Sequence, residues 1–300
     1  MRANLHLHSR YSDGSLWPSE IVREARAIGL DALALTDHDT LGGTIEFSKA
    51  ARQVGIRAFP GCEIDCYASE IDYKSEMLAY FPSGNLKNTE SFLRTVSRRR
   101  SDRLQAFVDE ARALFRRPDL VFSDLVERKL DGRKDSPDID IATVSYNKVD
   151  FFTYLKIKGV IDSKTSYREF KQAYFETGLI PDIRYHRTTI EEACKPVLED
   201  GGFLVLPHIG HQFDDDPLCM KRQKARLKEM LRYFRGIGVE GIELYYYRDG
   251  KSETINELVQ KTAEPLGYFF TYGSDCHGPD SEKHTLGDFD GDFDGFPDRI

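Results

Sequence analysis

The sequence predicts an α/β fold of parallel strands joined by crossover helices, with a helical segment inserted midway. Two observations carry that expectation. Apolar stretches of strand length alternate with amphipathic helical stretches at both ends of the chain. Each strand stretch that reads clearly also finishes in a histidine, aspartate or glutamate. In a (β/α) barrel the carboxyl ends of the strands converge on one face, where the site lies.

The elements follow in order. Asn4, Leu5 and Leu7 begin a β-compatible stretch, which ends in the turn Ser12-Asp13-Gly14. His6 and His8 are two apart, so both imidazoles project from one face of such a strand. With Asp13 just beyond them they suit a divalent cation. Read alone, the stretch also fits a solvated edge strand with unrelated polar residues. Pro18-Ser19-Glu20 begins a helix carrying Ile21, Val22, Ala25 and Ile28, and Gly29 stops it. LDALALTDHDT is the next strand, TIEFSKAARQVG the next helix and IRAFPGCEID the strand after it. The pattern returns where TIEEACKPVLEDGG leads into FLVLPHIGH, ARLKEMLRYFRGIG into VEGIELYYY, and ETINELVQKTAEPLG into YFFTYGSDCHG.

The middle differs. Residues 98–180 hold charged helical stretches, RRRSDRLQAFVDEARALF and SYREFKQAYFETG, broken by LDGRKDSPDID. This predicts an inserted helical subdomain at 98–180 between barrel segments 1–97 and 181–300. Arg98, Arg99, Arg100 and Arg103 are expected on a solvated helix face. In the tail GDFDGDFDGF, Asp290, Asp292, Asp294 and Gly295 match the start of an EF-hand loop, but its twelfth ligand would fall beyond Ile300. An acidic surface tail is expected instead.

Composition narrows the function. The chain has 300 residues, 40% hydrophobic and 31% charged, which is too apolar for disorder. A net charge of -8 argues against a general nucleic-acid or membrane-surface binder. Cys62, Cys66, Cys194, Cys219 and Cys276 are odd in number and lack CxxC spacing, so neither a disulfide framework nor a zinc ribbon is indicated. His6 and Arg10 interrupt the apolar stretch a signal peptide needs, and no apolar run reaches membrane-spanning length. A cytoplasmic protein without membrane contacts is expected. No GxGxxG or GxxxxGK[ST] loop appears, which counts against a Rossmann or P-loop nucleotide site.

The chemistry collects at strand ends: His6, His8 and Asp13; Asp37, His38 and Asp39; Glu63; Glu76; His208 and His211; Glu243; Asp275 and His277. The chain has only eight histidines, so five of them (His6, His8, His38, His208 and His277) arriving on one face point to a metal cluster. HLHSRYSDG, TDHDT, GCEID, the histidine after LVLP, and GSDCHG, in this order, resemble the motifs of the polymerase-and-histidinol-phosphatase (PHP) family. The resemblance covers about residues 3–97 and 181–285. It implies a distorted seven-stranded (β/α) barrel with two or three divalent metal ions (Mn, Fe, Zn or Mg). By motif, one metal would take His6, His8, Glu63 and Asp275. A second would share Glu63 and add His208 and Glu76. The third would use Asp13, His38 and His277. A metal-bridging hydroxide, held by Glu63, Asp13 and His277, would be the nucleophile.

Three departures from the family pattern stand out. Glu76 occupies a position that is usually histidine. Lys148 stands where the nucleotide-cleaving branch has a phosphate-binding arginine, and Ile209 and His211 replace the proline and arginine of HPGR. Lys148, His186 and His211 are the candidates for gripping a phosphate or protonating the leaving group. Asp37 and Asp39 are expected to orient His38, and Glu243 to support a ligand or to cap its strand. Four ligand carboxylates against three dications leave roughly +2, so an acidic protein can still attract phosphate.

The expected function is a metal-dependent phosphoesterase acting on small phosphomonoesters, nucleotides preferred, with phosphate as product. A 5'-to-3' exonuclease on short RNA and a non-catalytic, metal-stabilised module are the alternatives. No basic, aromatic-lined track for long nucleic acid is evident.

Overall fold

The computed structural model describes residues 1–279 and 284–298. Its first half runs β1 (Arg2–Asn4), α1 (Pro18–Ala27), β2 (Ala32–Leu35), α2 (Thr44–Val54), β3 (Arg57–Ala68) and β4 (Tyr73–Tyr80). The middle holds α3 (Lys87–Leu114), α4 (Phe122–Lys129), α5 (Lys148–Ile157) and α6 (Tyr167–Phe170). The chain then continues through α7 (Ile190–Glu199), β5 (Phe203–Leu206), α8 (Pro217–Arg222), α9 (Lys224–Gly236), β6 (Val239–Tyr245), α10 (Ser252–Ala263), β7 (Phe269–Gly273) and β8 (Gly291–Asp292).

The sheet order is β7-β6-β5-β4-β3-β2-β1-β8. It nearly closes, because the Leu5 N–H donates to the Tyr272 carbonyl and Leu7 bridges to Cys276 in parallel. The result is the expected α/β barrel with helices outside. Strand alternation explains the uninterrupted apolar runs: Ala32 and Ala34 face the interior with Phe59, Leu78 and Val205, while Leu33 and Leu35 pack under α1 and α2. Both faces are buried, so neither is free to be polar.

Two expectations about the sheet are corrected. The strands are not all parallel: β4 runs antiparallel to both β3 and β5. Only the turn Ser69–Ile71 and Asp72 separate it from β3, too few residues for a crossover. The other correction concerns the tail, which exposes Asp292 and Asp294 as expected but is not only an acidic surface. It adds β8 antiparallel to β1 and buries Phe293. Phe296 stacks on Phe203 and packs edge-on or tilted against Phe59, Tyr80 and Phe293, with ring centroids 5.1–5.2 Å apart, across the end of the barrel opposite the ligands. The alternation of aspartate and phenylalanine does this, with Asp290 turned to Arg2 at 2.6 Å and Asp292 to the Met1 amino group at 2.8 Å.

The helix α3 crosses residue 98 without a break. Its first turns lodge Leu93 in the core of the barrel, and Leu104, Phe107, Val108 and Ala111 enter a separate core. That second core is built from residues of the middle segment together with Tyr11 and Trp17, so the segment is docked on the first ligand loop. No helix among the described residues is long and apolar enough to cross a membrane.

Candidate metal centre

Immediately past β1 the chain stays extended, and the two-residue spacing of His6 and His8 places their rings 5.1 Å apart. A tight turn then folds Asp13 back toward His8. Only glycine fits after it, since a Cβ on Gly14 would lie 2.2 Å from the His8 carbonyl oxygen. Asp37 holds this loop by accepting hydrogen bonds from the Ser9 N–H, the Ser9 hydroxyl and the Ser12 hydroxyl, each at 2.6 Å. Thus Asp37 orients the first loop and not His38, as expected above. Glu63 rises mid-way along β3, and Glu76 projects from the opposite strand, beside Asp65 in the register. Because β4 is antiparallel, Glu76 reaches the ligand face from the first half of its strand.

Nine side chains converge in three overlapping groups: His6, His8, Glu63 and Asp275; Glu63, Glu76 and His208; His8, Asp13, His38 and His277. In each group the ligand atoms lie within 4.8 Å of one another. His6 Nε2 is 3.2 Å from Glu63 Oε2, and His8 Nε2 is 3.0 Å from Asp275 Oδ1 and 3.3 Å from Glu63 Oε2. His208 Nε2 is 3.1 Å from Glu63 Oε1 and 3.7 Å from Glu76 Oε2, and His277 Nε2 is 3.1 Å from Asp13 Oδ1. His8 stacks on His277 at 4.2 Å, so it borders two of the groups.

The donor set fits divalent cations. The Nε2 atoms of His6 and His8 are fully buried, aimed at carboxylates, and make no well-formed hydrogen bond. Orphaned imidazole nitrogens facing shared oxygens are costly unless something positive lies between them. The outer nitrogens are committed elsewhere. His6 Nδ1 lies 2.8 Å from Glu243 Oε1, and His277 Nδ1 lies 2.8 Å from the Asp275 carbonyl. Each such bond leaves Nε2 with its lone pair toward the centre. Glu243 reaches His6 because Gly273 has no Cβ, which would lie 2.2 Å from Glu243 Oε1. It therefore supports a candidate ligand and does not cap its strand.

Backbone geometry and electrostatics agree. His208 and Asp275 adopt positive φ of 27° and 53°, a conformation L-residues rarely take and one that collects at functional sites. Burial opposes charge on Glu63, yet the neighbouring His6 and His38 hold its carboxyl well below the usual range. Burial likewise opposes charge on Asp13, and His277 and His38 overcome it. Burial lowers His277 against the pull of Asp13, whereas the carboxylates around His6, His8, His38 and His208 overcome burial and raise those four.

Two large cavities meet the cluster, and a smaller one of about 100 Å³ reaches Glu76 beside Asp65 and Arg100. One, of about 800 Å³, lies between the inserted segment and the first loop, and its lining includes Asp13, His277, Arg10, Lys129, Phe152 and Tyr167. The other, of about 420 Å³, is lined in part by Asp275, His211 and Tyr245–Tyr247.

The three expected phosphate-binding residues are placed differently. His211 stacks on His208 at 4.6 Å and pairs with Asp215 at 2.8 Å, at the edge of the second cavity. Lys148 pairs with Asp182 at 3.1 Å and lies over the Phe175 ring at 4.3 Å; it lines neither cavity. His186 is exposed and pairs with Glu192 at 2.9 Å. One cation beside the cluster is Lys129, which donates to the Ser12 carbonyl and pairs with Asp150 at 2.6 Å. Nothing in the sequence around Lys129 marks it, because tertiary packing alone brings α4 to the first loop. The arginine cluster is corrected in part: Arg98 is exposed as expected, but Arg100 is buried and bridges Asp39 and Asp65, so Asp39 serves Arg100 and not the His38 ring. Arg103 pairs with Asp182 and lies over Tyr185. Asp65, two residues after Glu63 on the same strand face, was within reach of the strand period.

Residues 4–241 match the PHP domain, and the chain belongs to that family. It is 24% identical over 281 residues to the 5'-3' exoribonuclease of Haemophilus influenzae, covering 92% of this chain and 90% of the relative. It is also 24% identical over 290 residues to the 3',5'-nucleoside bisphosphate phosphatase of Chromobacterium violaceum, covering 95% and 90%. A 64-residue stretch is 50% identical to the error-prone DNA polymerase of Nocardia farcinica, 21% of this chain but 6% of the polymerase, so the chain matches only a small part of that relative. Among solved structures, a protein of Bifidobacterium adolescentis classed by inference as a metal-dependent phosphoesterase superposes with a TM-score of 0.68 at 22% identity, over 95% of this chain and 91% of its own. An amidohydrolase from Chromobacterium violaceum, with bound sulfate and no metal, also scores 0.68 at 22% identity, covering 97% and 92%. Both have the same barrel.

Proposed function

We propose that this chain is a metal-dependent phosphoesterase that hydrolyses phosphomonoesters of small metabolites, nucleotides among them. The observation that carries the reading is the sharing of Glu63 and His8 among three ligand groups at one barrel mouth. His6, His8, Glu63 and Asp275 would hold one cation, Glu63, Glu76 and His208 a second, and His8, Asp13, His38 and His277 a third. Divalent ions bound there supply a water nucleophile of lowered pKa and positive charge around the phosphoryl oxygens. The chain's own residues do the rest. Glu243 keeps His6 in one tautomer, and Lys129 and Arg10 add positive charge where a phosphate enters. Phe152 and Tyr167 offer a flat apolar wall to the leaving group. His211, bonded to Asp215, is the candidate for protonating the leaving oxygen.

The likeness to a 3',5'-nucleoside bisphosphate phosphatase supports a nucleotide substrate. A second reading, a 5'-to-3' exonuclease on short oligoribonucleotides, is favoured by the likeness to an exoribonuclease and by cavities on two sides of the cluster. One experiment separates them. Protein stripped of metal and reloaded with Mn²⁺ is assayed on mononucleotides, nucleoside 3',5'-bisphosphates and short RNA. We expect phosphate release from the monoesters only with metal. Full activity in verified metal-free protein would sink the proposal, and mononucleotide release from RNA alone would favour the exonuclease.

A further inference from the structure

We propose that Arg100 and Asp65 are positioning residues that fit His38 to hold a third cation, so that docking of the inserted segment and filling of that site are coupled. The inference rests on the trinuclear reading above and adds to it a dependence on α3.

The chain of contacts is continuous. His38 turns Nε2 toward Asp13 Oδ2, 3.8 Å away, and Nδ1 toward both Asp65 Oδ1 and Glu63 Oε2, each 3.3 Å away and neither in a well-formed hydrogen bond. With its proton on Nδ1, on the side of Asp65 and Glu63, His38 would keep the Nε2 lone pair for the side where Asp13 and His277 stand. Asp65 is itself tethered. Its other oxygen meets the Arg100 guanidinium, and its N–H donates to Asp39 Oδ1 at 3.1 Å. The same guanidinium bridges to Asp39, the residue after His38, which sits at a φ of 52°. Ser97, one turn earlier on α3, donates its hydroxyl to the Asp39 carbonyl at 3.2 Å. Thus α3 grips the His38–Asp39 turn at two points and its orienting carboxylate at one.

This grip has no evident purpose as packing alone. Arg100 is 8% exposed, and a buried guanidinium carries a desolvation cost that an apolar side chain would avoid. Two acids converging on it make the arrangement tolerable, and one of those acids faces a candidate ligand. The same segment reaches the other side of that site, where Asn147 Nδ2 donates to Asp13 Oδ2 at 3.4 Å and the Ser145 N–H donates to the Tyr11 carbonyl at 2.8 Å. Contacts from α3 and from the start of α5 therefore converge on Asp13 and His38. The first and second groups receive no such contact in the bonds described: Glu243 supports them from β6.

The test is a titration of metal-free protein with Mn²⁺ alone, in competition with a chromophoric chelator. The parent should take up three equivalents. Asp65→Ala should weaken one equivalent about 10–100-fold, the usual cost of losing the partner of a ligating histidine, and leave two unchanged. Arg100→Leu should weaken the same equivalent, and the double variant should be no worse than Asp65→Ala, since both act along one path. Should Arg100→Leu fail to fold, Asp65→Ala decides alone, because its side chain is 41% exposed and leaves no cavity. Three equivalents at parental affinity in Asp65→Ala, or all three weakened alike, overturn the proposal. A parent that takes up only two overturns the trinuclear reading and this proposal with it, while metal-dependent phosphate release tests the phosphoesterase reading separately.

Discussion

Glu243 Oε1 lies 2.8 Å from His6 Nδ1, and its second oxygen accepts the His208 backbone N–H at 3.0 Å. One buried carboxylate on β6 thus steadies candidate ligands from two different groups. In Glu243→Gln the amide can accept only one of these two bonds and must turn an N–H toward the other donor. We expect Mn²⁺ affinity to fall about 10–100-fold with the fold retained, measured by chelator competition and circular dichroism. Parental affinity would show that the pairing is structural only.

Lys129 and Lys148 should behave oppositely. Lys129, though paired with Asp150, lines the large cavity beside Asp13, whereas Lys148, paired with Asp182 and set over Phe175, lines neither cavity. A charge-assisted hydrogen bond to substrate is worth about 1.5–3 kcal/mol, so Lys129→Gln should raise KM for a nucleotide about tenfold or more. Lys148→Ala should leave kinetics unchanged. Steady-state assays on one nucleotide decide this, and a KM effect confined to Lys148→Ala would reverse the assignment.

Glu76 offers the second candidate ligand group a carboxylate oxygen. Its Oε2 lies 3.7 Å from His208 Nε2 and accepts a 2.5 Å bond from the Ser75 hydroxyl. An oxygen ligand suits harder cations, so Glu76→His should shift preference from manganese or magnesium toward zinc. Removing that negative charge should also move the rising limb of the pH–rate profile to lower pH. Unaltered selectivity and pH profile would exclude Glu76 as a ligand.

Asp200 caps α3 from a distance in sequence. Its carboxylate accepts the Asn88 N–H at 3.0 Å and the Thr89 N–H at 2.8 Å. Burial works against its charge, but these bonds win and hold its carboxyl below the usual range. A depressed folded-state pKa means the stabilisation is full above the unfolded value, about 3.9, and is lost as pH falls through the folded one. Asp200→Ala should cost about 1–2 kcal/mol near pH 7, the value of a helix cap, with the deficit shrinking in acid. Urea unfolding at pH 7 and pH 3 measures both, and an equal deficit at the two values would refute the charge argument.

Much of this was legible in the residue order. Alternating strand and helix periods determined the barrel, and nine candidate ligands were recognisable because polar residues at the ends of buried strands have few other reasons to be there. The direction of β4 was less visible, since alternation reports which face a side chain takes and not which way its strand runs. The aromatic plug under the barrel was hidden by the aspartates between Phe289, Phe293 and Phe296, which read as a solvated tail.

What the sequence determined alone was the local part: the same-side rings of His6 and His8, the Gly14 turn that returns Asp13 to them, and the pairing of strand with helix. What only the tertiary structure decided was which charges meet. Arg100 lies 61 residues after Asp39 and 35 after Asp65, and Lys129 lies 117 after Ser12. Periodicity marks a face within one element, whereas the partner of a buried charge is set by how separate elements dock. The pairing of the inserted segment with the metal loops could therefore be read only once the chain was folded.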